Sequence, residues 1–142
     1  MKSKGFSLIE ILIVINIALI FLSFTILSFV ELNNRLANTM DVELCSNEIV
    51  SIIDGGKNYC RVNKYFGTIR LSDTNEVIFG CNDKTIKYKL PSKFKLYTYP
   101  KEIIINQEGE IGSACSIYYY DRKNKRHCIT IRVATNYVKV KE

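Results

Sequence analysis

The sequence predicts an α+β protein, a long N-terminal helix packed on an antiparallel β-sheet head. Three observations predict it. Residues 11–30 are almost wholly apolar, an amphipathic helical pattern follows them, and after residue 56 the hydrophobic period changes from 3.6 towards 2. The expected organisation is a short basic segment at 1–5, a membrane-spanning helix at 6–30, its amphipathic continuation at 31–56, and a β head at 57–142.

The apolar run is long enough, at 1.5 Å of rise per residue, to cross about 30 Å of hydrocarbon. Only Asn16, Ser23, Thr25 and Ser28 interrupt it, and none is charged. Lys2 and Lys4 precede it without an acid, which places that end in the cytoplasm and the remainder across the membrane as a single-pass protein. A secretory signal would have a shorter apolar core with a small-residue cleavage site after it. Glu10 stands at the mouth of the run, where an acid well inside a bilayer costs roughly 2.5–3.5 kcal/mol. A simple anchor gains nothing from that cost, so the carboxylate implies a partner.

The run Lys4-Gly5-Phe6-Ser7-Leu8-Ile9-Glu10 resembles the prepilin processing motif of type IV pilins and pseudopilins, and the resemblance covers residues 2–30. It implies a leader at 1–5, cleavage by a prepilin peptidase between Gly5 and Phe6, and N-methylation of Phe6. It implies that Glu10 is the family's assembly glutamate, pairing with the new amine of a neighbouring subunit. A buried ion pair of this kind is better defended as a register device than as net stability. The implied partners are the peptidase, other pilin or pseudopilin subunits, the inner-membrane assembly platform with its ATPase, and membrane lipid. The implied location is the inner (cytoplasmic) membrane with an exported head, then a periplasmic or extracellular filament.

From Glu31 the helix continues as an amphipathic one. Leu32, Leu36, Met40 and Leu44 recur at four-residue steps, and Cys45, Ile49, Ile52 and Ile53 follow on a neighbouring stripe. Asp54-Gly55-Gly56 reads as a stop, because glycines forfeit helix propensity and permit positive φ. A helix over 6–54 would be about 70 Å long. Major pilins often carry a proline inside this helix; residues 19–27 here contain none.

Beyond Gly56, strands are expected at 65–71, 76–79, 84–90, 93–99, 102–106, 114–120, 127–134 and 137–141. Residues 121–126 read as a charged hairpin loop and Thr135-Asn136 as a tight turn, within an antiparallel meander. Ile129, Ile131 and Val133 share one face, with Val138 and Val140 joining them. The order of elements in 109–142 loosely resembles the H-type minor pseudopilins of type II secretion and related minor pilins. Those relatives often end in a Gly-Arg-x-Arg-like turn, where this chain has Asn136-Tyr137-Val138-Lys139.

The net charge of +6 is unevenly spread. Residues 31–56 carry a net −4 and residues 57–142 a net +9, a pattern that serves intramolecular complementarity or contact with anionic partners. Within 84–101 stand Lys84, Lys87, Lys89, Lys93, Lys95 and Lys101 without an acid. Alternation places Lys87 and Lys89 on one face, and Lys93, Lys95, Tyr97 and Tyr99 on one face of the next strand. Lysines among exposed tyrosines grip phosphate and stack bases; equally, lysines on a solvent face protect a sheet from edge pairing. Arg122, Lys123, Lys125 and Arg126 form a second, smaller candidate of the same kind.

Five cysteines are present, and no two form a C-x-x-C pair, which argues against a zinc or thioredoxin-like site. In an exported domain Cys60, Cys81, Cys115 and Cys128 could form two disulfides, with three connectivities open, and Cys45 left over. Buried free thiols are the equal alternative. A centred hairpin loop puts Cys128 opposite about Tyr120, so a Cys115–Cys128 bridge does not follow from it. His127 is the only histidine and reads as a solvated turn residue, with no nucleophile or acid pair beside it and no phosphate loop elsewhere. No enzyme, cofactor or metal is expected. The expected function is a structural subunit, a minor pilin or pseudopilin of a type IV pilus, type II secretion or competence machine. The alternative is a filament-displayed module that binds extracellular DNA for uptake or another anionic surface ligand.

Overall fold

A computed structural model describes residues 8–97, 99–132 and 138–141. Gly5 and Phe6, the Thr135-Asn136 turn and Val133 lie outside the described residues. The architecture is α+β, with one long N-terminal helix and antiparallel sheets. The chain divides into two units, Met1–Ala37 and Asn38–Glu142.

Helix α1 spans Leu8–Asn63. Its first-unit residues expose their apolar side chains, and an 18-residue window there has a mean hydropathy of 2.7. The segment is therefore long and apolar enough to cross a membrane. Its polar side chains turn back onto the helix: Asn16 Nδ2 donates to the Leu12 carbonyl at 2.9 Å and Ser23 Oγ to the Leu19 carbonyl at 2.8 Å. This local bonding lets polar residues sit in apolar surroundings at low cost.

The helix passes through Gly55-Gly56, where the sequence predicts a stop, and ends at Asn63. The physical reason is packing. A Cβ on Gly56 would lie 2.7 Å from the Phe79 ring, so this glycine lets the helix approach the sheet. Each glycine costs about 1 kcal/mol against alanine in a helix interior. Burial of Phe79 and Cys60, whose contacts lie at and beyond the glycines, offsets that cost. The true stop is Lys64 at φ 57°, with the Tyr65 amide donating back to the Cys60 carbonyl at 3.2 Å.

The second unit holds two four-stranded sheets where the sequence suggests a single meander. The first contains β1 (Gly67–Ser72), β2 (Glu76–Cys81), β3 (Lys84–Lys89) and β5 (Glu102–Ile105), in the order β3-β2-β1-β5. The second contains β4 (Lys95–Tyr97), β6 (Cys115–Tyr120), β7 (Arg126–Ile131) and β8 (Val138–Lys141), in the order β4-β6-β7-β8. All the pairings are antiparallel. Pro91 follows β3 and Pro100 separates β4 from β5; lacking an N–H, neither can continue a ladder. The chain thus leaves the first sheet, makes three residues of the second, and returns to pair β5 with β1.

One core joins the helix to both sheets. Ile49, Ile52, Ile53 and Cys60 of α1 pack with Ile69, Phe79, Ile105, Ile117, Tyr119 and Ile129. The buried helix positions are Asn38, Cys45, Ser46, Ile49, Ile52, Ile53, Gly56 and Cys60, the three- and four-residue steps of one face. Of the two stripes read in the sequence, the second is the core stripe. Met40 and Leu44 remain 68% and 56% exposed, and Leu32 and Leu36 are likewise exposed in the first unit.

Candidate functional site

Three groups of residues bear on function: the N-terminal helix with Glu10, the basic and aromatic surface of the head, and the cysteines. Glu10 lies in the first described turn of α1, on the exposed surface.

The basic stretch 84–101 does not form one patch within a sheet. Lys87 and Lys89 are exposed on β3, opposite in phase to Ile86 and Tyr88, and β3 is an outer strand of the first sheet. Lys93 is not in a strand; it occupies a turn at φ 70°, because β4 begins only at Lys95. Phe94 is buried and stacks on Tyr119 at 6.1 Å, which spends the residues before Lys95 on anchoring the turn. Lys95 and Tyr97 then share the exposed face of β4, the outer strand of the second sheet.

Cross-strand register assembles a face that residue spacing did not single out. Lys95, Tyr120 and Arg126 are successive partners across β4, β6 and β7, and Tyr97, Tyr118 and Cys128 form the next row. Tyr97 packs edge-on against Tyr118 at 6.3 Å, and the Arg126 guanidinium lies over the Tyr118 ring at 5.4 Å. A groove of about 470 Å³ beside them is lined by Tyr97, Tyr99, Tyr118 and Thr130 among others. Tyr118 and Tyr120 were legible only as strand residues, since their neighbours come from other strands.

The second basic candidate is partly consumed within the protein. Arg122 forms an ion pair with Asp41 of α1, so the acidic helix and basic head do meet through a specific contact. Lys123 and Lys125 are exposed, and their backbone amides donate to Asp121 Oδ1 at 2.8 and 2.9 Å.

Asp121 organises a buried polar network. Asn38 Nδ2 donates to its Oδ2 at 2.9 Å, and His127 Nε2, at 3.4 Å, must donate to the same oxygen because a carboxylate only accepts. Burial alone would raise the Asp121 carboxyl, but the bonds from Asn38, the Lys125 amide, His127 and the Lys123 amide outweigh it and hold the group below the usual carboxylate range. His127 is not the solvated turn residue its neighbours suggest. Its side chain is 11% exposed and stacks on Tyr119 at 5.1 Å. The Tyr119 hydroxyl donates to the Val42 carbonyl at 3.1 Å, so Ser46 Oγ donates to it at 2.5 Å. Burial pushes Tyr119 up to about 12, and Cys45 beside it to about 11.

The four cysteines of the head separate into two cases. Cys60 Sγ and Cys81 Sγ are 3.9 Å apart in the core. Cys115 pairs with Ile131 and Cys128 with Tyr118, not with Tyr120 as the centred loop predicts, because the turn closes between Asp121 and Lys125 and Tyr120 pairs with Arg126. Side chains alternate along a strand, so Cys115 and Cys128 point to opposite faces of the second sheet and cannot bridge. Among the described residues no cluster of histidine, cysteine and acid side chains could hold a metal ion. No family model, curated protein or solved structure matches the chain.

Proposed function

We propose that this chain is a minor pilin or pseudopilin. Its membrane helix is processed by a prepilin peptidase after Gly5, methylated on Phe6 and assembled into a filament through Glu10 and helix packing. The observation that carries the reading is the conjunction of the Gly5-Phe6…Glu10 motif with the exposed apolar helix that follows directly. A helix with apolar residues on every side needs lipid or other helices around it. Exposed Leu32, Leu36, Met40 and Leu44 support the same reading, since they extend apolar surface past the membrane-length segment into the second unit. Glu10 would pair with the amine that cleavage creates on Phe6 of a neighbouring subunit, fixing axial register. The chain acts as a structural subunit and performs no catalysis of its own.

N-terminal sequencing and intact mass of the protein from its host's membranes test this. A chain that starts at Phe6, and a Gly5→Ala variant that remains uncut, are the expected results. A chain that keeps residues 1–5 in a host with an active prepilin peptidase rejects the reading.

A second reading is favoured by the Lys95, Tyr97, Tyr118, Tyr120 and Arg126 face: a head that binds an anionic, stackable ligand such as single-stranded DNA. Exposed Tyr97, with half-buried Tyr118 and Tyr120 beside it, offers rings for stacking on bases, and the two cations offset phosphate charge. Retention of DNA at physiological salt, lost on Lys95→Ala with Arg126→Ala, is its expected signature. Binding only at low salt would reject it, because any domain with this much positive charge then binds polyanions.

A further inference from the structure

We propose that Cys60 and Cys81 are joined by a disulfide in the exported protein, a covalent staple between the last turns of α1 and the end of β2. The proposal rests on the export of the head described above, because disulfides persist in oxidising compartments.

The geometry selects this pair among the four head cysteines, giving one disulfide in place of the two that the sequence allows. The two sulfurs touch at 3.9 Å, although the residues are 21 positions apart in the chain. Closing to a bond of about 2.05 Å requires an approach of roughly 2 Å. Gly67 leaves the room: a Cβ there would lie 2.5 Å from Cys60 Sγ. Cys45 lies on the same helix fifteen residues before Cys60, about 22 Å along its axis, and out of reach of it. Cys115 and Cys128 face opposite ways. Cys60 and Cys81 are therefore the pair the fold presents.

The position also gives the staple a task. Gly55 and Gly56 weaken the helix just before its final two turns, and Cys60 is the buried side chain in those turns. A bond to Cys81 would hold them against the sheet and constrain the unfolded chain. Both residues are buried, at 0% and 3% exposure, and burial pushes the Cys60 thiol up to about 11. Thiolate is the attacking species, so oxidation belongs to folding, before the core closes. The oxidant is the disulfide of an exported thiol–disulfide oxidoreductase. One cysteine thiolate attacks it, giving a mixed disulfide and releasing one donor thiol. The second cysteine then displaces the other donor sulfur. The two electrons and two protons of the Cys60 and Cys81 thiols leave with the donor, now a dithiol. Once formed, the buried bond is shielded from reductant.

The test is peptide mapping of the full chain from its host's membranes, acid-quenched and alkylated without reductant. The expected result is a Cys60–Cys81 linked peptide, a chain mass about 2 Da below the all-thiol form, and alkylated Cys45, Cys115 and Cys128. Reduction, or Cys81→Ser, should lower the melting temperature by roughly 10 °C. Alkylated Cys60 and Cys81, or a different linked pair, would overturn the proposal. Equilibration of the purified, detergent-solubilised chain in a glutathione redox buffer locates such a failure. If Cys60 and Cys81 join there but are reduced in the host, the export reading has failed; if they join in neither, the pairing has failed while processing at Gly5 still stands or falls by its own assay.

Discussion

Asn38 of the helix and Asp121 of the β6–β7 turn are hydrogen-bonded at 2.9 Å across 83 positions of sequence. The bond marks where the second unit begins: Asn38 is its first residue and the first buried position on α1. Asp121 in turn accepts from two turn amides and from His127, so one carboxylate sets the hairpin shape and its attachment to the helix.

Removing that acceptor leaves several buried donors unpaired. Asp121→Ala is expected to destabilise the head by roughly 1–3 kcal/mol, read by chemical denaturation of the detergent-solubilised chain. Lys123→Ala, which keeps the backbone amide, should change stability by less than about 0.5 kcal/mol. Equal effects from both would contradict the network.

Stability should fall at both extremes of pH. The folded Asp121 carboxyl lies below its ordinary 3.8, so its contribution is complete above that value and disappears as pH falls through the folded one. Cys45 and Tyr119 shift upward, from 9.0 to about 11 and from 10.0 to about 12, so their contributions are complete below the unfolded values and disappear as pH rises through the folded ones. Melting temperature against pH measures both arms. Asp121→Asn should flatten the acid arm and leave the alkaline one.

The paired glycines should respond oppositely to alanine. At Gly55 nothing lies within 4 Å of where a Cβ would stand, and Gly55→Ala is expected to stabilise the helix by up to about 1 kcal/mol. At Gly56 the Phe79 ring stands in the way at 2.7 Å, and Gly56→Ala should cost roughly 1–3 kcal/mol. Thermal melts of the two variants decide it; a stabilised Gly56→Ala would show that the close approach is not needed.

The two helix stripes should separate folding from assembly. Ile49→Asp places a charge in the core and should unfold the head. Leu44→Asp, on an exposed position, should leave the melt unchanged within about 0.5 kcal/mol and reduce filament recovery several-fold. Glu10→Gln should insert into the membrane normally and fail to assemble. Filament shearing followed by immunoblotting reads the assembly effects, and normal filament yield for Glu10→Gln would remove the glutamate from the assembly reading.

The membrane-length segment, the amphipathic continuation and the β6–β7 hairpin are local patterns, and the sequence alone determined them. Sixteen of the twenty residues over 11–30 are apolar, long enough to cross hydrocarbon, and alternation over 114–120 and 127–134 reads as half-buried strands close to the observed β6 and β7. Tertiary structure decided what depends on distant partners. Met40 and Cys45 both lie on apolar stripes, and only the arrival of the sheets buries Cys45 and leaves Met40 exposed. Gly56 is a helix breaker by propensity, and only the Phe79 ring makes it a contact point. Cys60 and Cys81 are two of five cysteines in the sequence, and only the packing of α1 on β2 brings their sulfurs together. Periodicity reports which side of an element is apolar; the partner that covers it is set by the free energy of the whole core.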